Sequence, residues 1–271
     1  MDKKKLIVVT GASAGIGYAT ANLLGTTGFK TIGTSRNIQE TKGETFRFMQ
    51  LDVTSDSSVH GFVSSVQSEV GQIDVLINNA GIGSLGALEE TNLGEAKMIF
   101  ETNFFGTVRM INAVLPEMRK RKRGLIINLG SMAAAVPIPY HGYLTASKAA
   151  INSYTDALRL EVFNLGIRVV LLQLGMVRTH LGEKWNDLKT SKTIPDYHPV
   201  EDAVLKRLET RSSGSIPPES VAKKILEIIN TLNPRPHYLI GKERNLVRFS
   251  RLLPTATLDY IMKKELKMHQ D

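Results

Sequence analysis

The chain predicts an α/β fold: a doubly wound parallel sheet of about seven strands with helices on both faces. Three observations lead there. Short Val/Ile/Leu-rich runs recur, helix-length segments separate them as in a sheet covered on both sides, and a glycine-rich turn follows the first run directly. The 271 residues suffice for one domain with a sizeable core, so residues 1–271 are expected to fold as a single unit.

The first run is Lys5 to Thr10. Lys3 to Lys5 ahead of it resemble the start of a signal peptide, but Leu6 to Val9 is too short for an h-region and reads as a buried strand. Further strands are expected at Lys30 to Thr34, Phe46 to Leu51 and Val75 to Asn78. A helix from near Asn92 should end in the basic run Arg119 to Arg123, where cations meet the negative end of the helix dipole. Leu125 to Leu129 and Arg168 to Leu174 follow as strands, and His237 to Ile240 closes an edge. Between Gly175 and Gly214 the pattern becomes polar and Pro-containing, so residues 175–215 read as a long loop, a lid over a substrate, carrying Met176, Leu181, Trp185 and Leu188. Residues 245–271 read as an interrupted amphipathic helix that packs on the body or on a second subunit, with a membrane surface as the alternative.

Composition narrows the function. There are 34 Lys and Arg against 26 Asp and Glu, a formal charge of +8 that suits anionic partners. Nucleic acid is not expected, because no aromatic residues interleave with the basic run. Cysteine is absent, which excludes thiolate chemistry and disulfides, and no run approaches a membrane span of about 20 apolar residues. A soluble, cytoplasmic protein without a metal site is expected.

The turn VVTGASAGIGYATANLL places Gly11, Gly15 and Gly17 between a strand and a helix. Without Cβ atoms, its backbone N–H groups can approach a pyrophosphate, and the helix N-terminus favours the negative charge. Ser13 and Ile16 belong to the same turn. The Gly-x-x-x-Gly-x-Gly spacing resembles that of the short-chain dehydrogenase/reductase family, whose sheet is Rossmann-type. The resemblance extends through Leu51-Asp52-Val53, Asn78-Asn79-Ala80-Gly81, Asn103, Ser131, Ser147-Lys148-Ala149-Ala150 and Gly175-Met176-Val177-Arg178-Thr179, in the expected order. The region from Asn78 to Arg119 is similar to the hydroxysteroid and retinol branches. The resemblance implies that Asp52 and Val53 lie at the adenine, that Asn79, Ala80 and Gly81 lie beside the adenosine, and that Val177 and Thr179 touch the nicotinamide amide. It also implies a homodimer or homotetramer built on the helices near Glu95 to Met118 and Tyr143 to Leu165.

Charge addresses the choice of cofactor. The second strand ends Thr34-Ser35-Arg36-Asn37 rather than in an acid. A carboxylate there would repel a 2′-phosphate and Arg36 can pair with it, so NADP(H) is expected over NAD(H).

Members that reduce carbonyls are similar in having four catalytic places: Asn, Ser, Tyr and Lys. Asn103, Ser131 and Lys148 fit three of them. The Tyr should stand four residues before the Lys, where a helix presents both on one face. Counting back from Lys148 gives Leu144, and counting thirteen on from Ser131 also gives Leu144. Tyr143 is one residue early, turned by about 100° on a regular helix. Three readings are open: Tyr143, or Tyr140 or His141, is a displaced acid; the protein is a non-catalytic NADP(H) binder with a regulatory or interaction role; or Leu144 is a recent or engineered change in a working reductase. Leu174 before Gly175, where a proline is common, leaves the nicotinamide turn freer. The expected function is hydride transfer between NADP(H) and a hydrophobic alcohol or ketone, bordered by Gly83 to Leu88, with atypical proton transfer.

Overall fold

Successive strand side chains point to opposite faces, so an unbroken apolar run must be covered on both. Strand β1 (Leu6–Val9) sends Leu6 and Val8 to one side and Ile7 and Val9 to the other, all buried. It is joined by β2 (Lys30–Ser35), β3 (Arg47–Gln50), β4 (Val75–Asn78), β5 (Gly124–Ser131), β6 (Ile167–Leu174) and β7 (His237–Ile240). The seven strands run in the order β3-β2-β1-β4-β5-β6-β7, and every pairing is parallel. The computed structural model describes residues 4–37, 45–136, 138–178, 193–212, 215–250, 252–266 and 268.

One face is covered by α2 (Asp56–Glu69), α4 (Gly106–Lys120) and α5 (Gly142–Glu161), whose Phe62, Met110 and Leu158 join Leu6, Val8 and Ile126 in one core. On the other face α1 (Gly15–Thr26) and α7 (Pro218–Asn230) bring Leu24, Ile225 and Ile228 onto Ile7, Val9 and Ile127. Each such buried side chain contributes roughly 1.5–3 kcal/mol. The alternation anticipated from the strand runs therefore becomes two cores, and the sheet is held between them.

The helix expected from Asn92 begins there. The Asn92 side chain accepts from the Glu95 N–H at 2.9 Å and caps α3 (Leu93–Phe100). The helix is not regular to its basic end, however: a π turn at Glu101–Phe105 separates α3 from α4. The extra residue of a π turn shifts which side chains face inward, and Asn103 lies within it.

The expectation of a loop across 175–214 is corrected for its later part. After a short 3₁₀ turn at Pro195–Tyr197, α6 (His198–Ser212) follows. Its described side chains include two deeply buried ones, Glu201 and Val204, too few to reveal a helical period in the sequence. The start of this region is anchored as well, since Val177 bridges to Ile216 and the Arg178 N–H donates to the Ile216 carbonyl at 2.9 Å. The C-terminal amphipathic segment is two helices, α8 (Arg244–Ser250) and α9 (Thr255–Glu265), interrupted ahead of Pro254, which caps α9. Val247, Met262 and Leu266 are buried against Met132, Val136 and Val204, so this segment packs on the body beyond the end of β5.

Candidate functional site

Strand order reverses between β1 and β4, and the crevice beyond their C-terminal ends is where an open parallel sheet binds ligands. The turns leaving these two strands are tied together there. The Thr10 hydroxyl accepts from the N–H groups of Asn79 and Ala80, both at 3.0 Å. The Asn79 amide in return donates to the carbonyls of Thr10 and Gly11, both at 2.9 Å.

Gly11 has φ +65°, and a Cβ on Gly17 would lie 2.2 Å from the Gly11 carbonyl oxygen, so this close approach needs glycine. Helix α1 starts with no side-chain cap and no acid in its first turn, while Ser13 and Ala14 are exposed. The turn through Gly11, Ser13, Gly15, Ile16 and Gly17 therefore offers backbone donors and a favourable dipole to an anion from outside, which fits a pyrophosphate. Asn79, Ala80 and Gly81 form the opposing wall. The Asn79 side chain is spent on holding the two turns together.

At the β2 end, Arg36 is exposed and lies within electrostatic reach of Asp52, which follows β3. Burial raises the Asp52 pKa, but the Thr54 N–H and hydroxyl at 2.9 and 2.7 Å, with Arg36 and Arg109 nearby, outweigh it and leave the carboxyl below its usual range. The Val53 side chain is buried in the core against Gly106, so Val53 offers the crevice its backbone.

At the ends of β4 and β5 the π turn presents Asn103, which is 1% exposed. Its Oδ1 accepts from the Ile82 N–H at 2.8 Å, and its Nδ2 donates to the Ile82 carbonyl at 2.9 Å and to Ser147 Oγ at 3.0 Å. One amide thus clamps the turn after β4 onto α5. Next to Ser147, the Lys148 ammonium donates to the Leu129 carbonyl at 2.9 Å, and burial pushes its pKa down to about 8. Ser131 ends the same strand two residues later, its Oγ accepting from the Ala133 N–H at 3.1 Å. The structure therefore brings Asn103, Ser131 and Lys148 to one end of the sheet, supported by different elements.

Helix α5 is already under way at Gly142 and continues unbroken to Glu161. Leu144 accordingly shares a face with Lys148, and its carbonyl accepts from Ser147 Oγ at 2.8 Å. The partly buried Tyr143 makes no hydroxyl hydrogen bond to another described residue. Tyr140 precedes the helix in a left-handed conformation, φ 63°, and burial together with Glu201 and Glu90 raises its phenol pKa. His141 is buried and is pushed down to about 4, the Pro139 backbone offsetting only part of the effect, so its imidazole is neutral near pH 7. Neither group arrives as a ready proton donor.

Residues that sequence reasoning missed hold these groups. Asn78 donates to Asn128 at 2.8 Å, Asn128 to the Thr155 hydroxyl at 2.9 Å, and Thr155 to the Ile151 carbonyl at 2.6 Å, a buried polar chain locking β4, β5 and α5 together. The signal was available as a lone amide in the apolar run LIINLG. Glu90 also went unremarked: its carboxylate accepts from the Thr193 and Ile194 N–H groups and holds the approach to α6 against the turn after β4. The predicted substrate side is partly seen, with Leu85 and Ala87 buried and Leu88 exposed and packed on Gly142. Val177 lies in the bridged segment after β6, while Thr179, Leu181, Trp185 and Leu188 lie outside the described residues. Among those described, no helix is long and apolar enough to cross a membrane.

Comparison with known proteins agrees with this arrangement. A family model described as short chain dehydrogenase matches residues 5–190. A 3-ketodihydrosphingosine reductase of Bacteroides thetaiotaomicron is 40% identical over 230 residues, which cover 85% of this chain and 85% of that protein. Retinol dehydrogenase 8 of Bos taurus is 28% identical over 277 residues, 95% of this chain and 86% of the relative. Among solved structures, a short-chain dehydrogenase from Streptomyces avermitilis superposes with a TM-score of 0.83 at 26% identity, covering 100% of both chains.

Proposed function

Since this chain belongs to the short-chain dehydrogenase/reductase family of oxidoreductases, we propose that it transfers a hydride between NADP(H) and a hydrophobic alcohol or ketone, with proton transfer weakened by Leu144. The observation that carries the proposal is the convergence of an uncapped, glycine-built anion turn with the Asn103, Ser131 and Lys148 cluster at one end of the sheet.

The uncapped start of α1 would receive the pyrophosphate, and Asp52, Ala80 and Gly81 would border the adenosine. Arg36, exposed at the end of β2, supports the phosphorylated dinucleotide, because a guanidinium pairs with a phosphate where a carboxylate would repel it. When bound, the dinucleotide supplies or accepts the hydride. Lys148 would turn from the Leu129 carbonyl toward the ribose hydroxyls, and its positive charge favours any oxyanion forming nearby. Ser131 would donate its hydroxyl to the substrate oxygen, which its Oγ is free to do while accepting from Ala133. Leu144 can neither give nor take a proton, and losing a positioned general acid typically lowers a rate by ~10²–10⁴-fold. Slow turnover is therefore the expected behaviour, with protons drawn from water or from Tyr143.

The apolar segment with Leu85, Ala87 and Leu88 supports a hydrophobic substrate, as do the ketone and the alcohol named in the two relatives. Exposed Met98, Phe105 and Leu160 on the helices flanking β5 support assembly into a homo-oligomer.

Purified protein mixed with NADPH and a panel of hydrophobic ketones, followed by nicotinamide absorbance, tests the proposal. Slow, protein-dependent oxidation that Lys148→Met abolishes supports it. Tight NADPH binding with no turnover on any ketone, in the native chain and in Leu144→Tyr alike, overturns it.

A further inference from the structure

The edge strand β7 and helix α8 enclose a cavity of about 490 Å³ that has no part in the site above. Its size is that of a small-molecule pocket. Its wall is unusual: Arg235 at the approach to β7 and Arg244 and Arg248 on α8 all line it, with His237 and Gln173 at its base. Among the described residues no carboxylate pairs with any of these three guanidiniums. The acids nearby face away from them. Asp156 accepts from His237 at 2.6 Å and from Arg159 at 3.3 Å, and the Glu243 carboxylate lies against the backbone of Gly175 and Gly241. Three exposed guanidiniums lining one cavity without a paired carboxylate make a positive compartment that favours an anion from outside.

The cavity continues into a second one of about 340 Å³ between α5 and β6, and the two share Ala135, Gln173 and His237. Here Asn152, Ser153 and the His237-bound Asp156 join Ala149 and Leu171, and the Asn152 Oδ1 is buried without a hydrogen-bond partner. A charged compartment thus opens into a mixed one that still holds an unused acceptor.

We propose that these joined cavities form a second binding site, for a phosphate ester whose dianion sits among Arg235, Arg244 and Arg248 and whose organic part reaches toward Asn152. Arginine forks match phosphate oxygens two at a time, the arrangement used wherever phosphate esters are read by arginine clusters. The site's arginine end lies far across the sheet from the pyrophosphate turn. From β1 to β7 there are four strand spacings, about 19 Å across the sheet, and Arg36, just past the end of β2, is one spacing further. The inference stands on the cavity alone and does not require the cofactor reading.

The test is calorimetric titration of the full chain with hexyl phosphate, with and without saturating NADPH, for native protein, Arg36→Glu and the pair Arg244→Gln/Arg248→Gln. A second arm measures co-sedimentation with phosphatidic acid vesicles against phosphatidylcholine vesicles. Circular dichroism confirms that the variants, changed at exposed positions, stay folded. Stoichiometric binding of hexyl phosphate, unchanged by NADPH or Arg36→Glu and weakened tenfold or more in the double variant, establishes the site and a soluble ester as its ligand. Binding confined to phosphatidic acid vesicles, and lost in the double variant, establishes the same site with a lipid headgroup as the source. Binding abolished by NADPH or Arg36→Glu, or equal in native and double-variant protein in both arms, overturns the inference.

Discussion

Replacing Asn103 by alanine tests how the site is assembled, because one side chain holds three elements together. The substitution removes both hydrogen bonds to the Ile82 backbone, at 2.8 and 2.9 Å, and the bond to Ser147 at 3.0 Å. Ser147 keeps its bond to the Leu144 carbonyl, so the main loss falls on the Ile82 N–H and carbonyl. Leaving a buried polar group unpaired costs about 1–3 kcal/mol. Ile82 is only half-buried, which lets water replace part of the clamp and places the sum near 3 kcal/mol. For a chain of this size that is a fall in Tm of roughly 6–12 °C. Thermal unfolding followed by circular dichroism reads it directly, with exposed Asn112→Ala on the following helix α4 as a control expected to stay within about 0.5 kcal/mol. NADPH affinity should fall as well, since the loosened turn carries Ala80 and Gly81. A loss below about 1 kcal/mol would refute the clamp and reduce the π turn to a local irregularity.

Further predictions follow from the same geometry. Lys148 has its pKa pushed down to about 8 by burial, against an ordinary 10.5, so between these values the folded chain releases its proton before the unfolded chain does. Its contribution to stability therefore rises with pH from about 8 to 10.5 and is least favourable below that window; Lys148→Met should flatten this rise in urea titrations and add up to about 3 kcal/mol at neutral pH. Arg36→Glu should weaken NADPH roughly tenfold to a hundredfold while sparing NADH, the value of one charge-assisted pair, as measured by fluorescence titration. A triple Met98→Lys, Phe105→Lys and Leu160→Lys variant should be monomeric in light scattering if the flanking helices form the subunit contact, and an unchanged oligomer would place the contact elsewhere.

The central strands β1, β4, β5 and β6 were legible because each is a short, largely apolar run, and a strand buried on both faces admits little else. The glycine turn after β1 was legible because close backbone approach leaves no room for a Cβ at Gly17. The π turn was not, since inserting one residue into a helix changes which face Asn103 occupies without changing composition. Helix α6 was read as loop because its sequence interleaves charged and polar residues with the few apolar ones, so its periodicity dissolves into charge. The polar chain through Asn128 and Thr155 needed three dimensions, as 27 residues separate these partners. Arg235, Arg244 and Arg248 likewise sit apart in sequence and meet only because β7 leads into α8. Leu144 was plain from spacing alone, and what the structure adds is that α5 is regular there and does not swing Tyr143 round to compensate.

The central claim is that this site is an oxidoreductase centre lacking its proton donor. It is tested most directly by single-turnover oxidation of bound NADPH by a hydrophobic ketone in native protein and in Leu144→Tyr. The account predicts a slow native rate and an increase of roughly a hundredfold or more in the variant. Equal rates, or a native rate already fast and abolished by Tyr143→Phe, would contradict it.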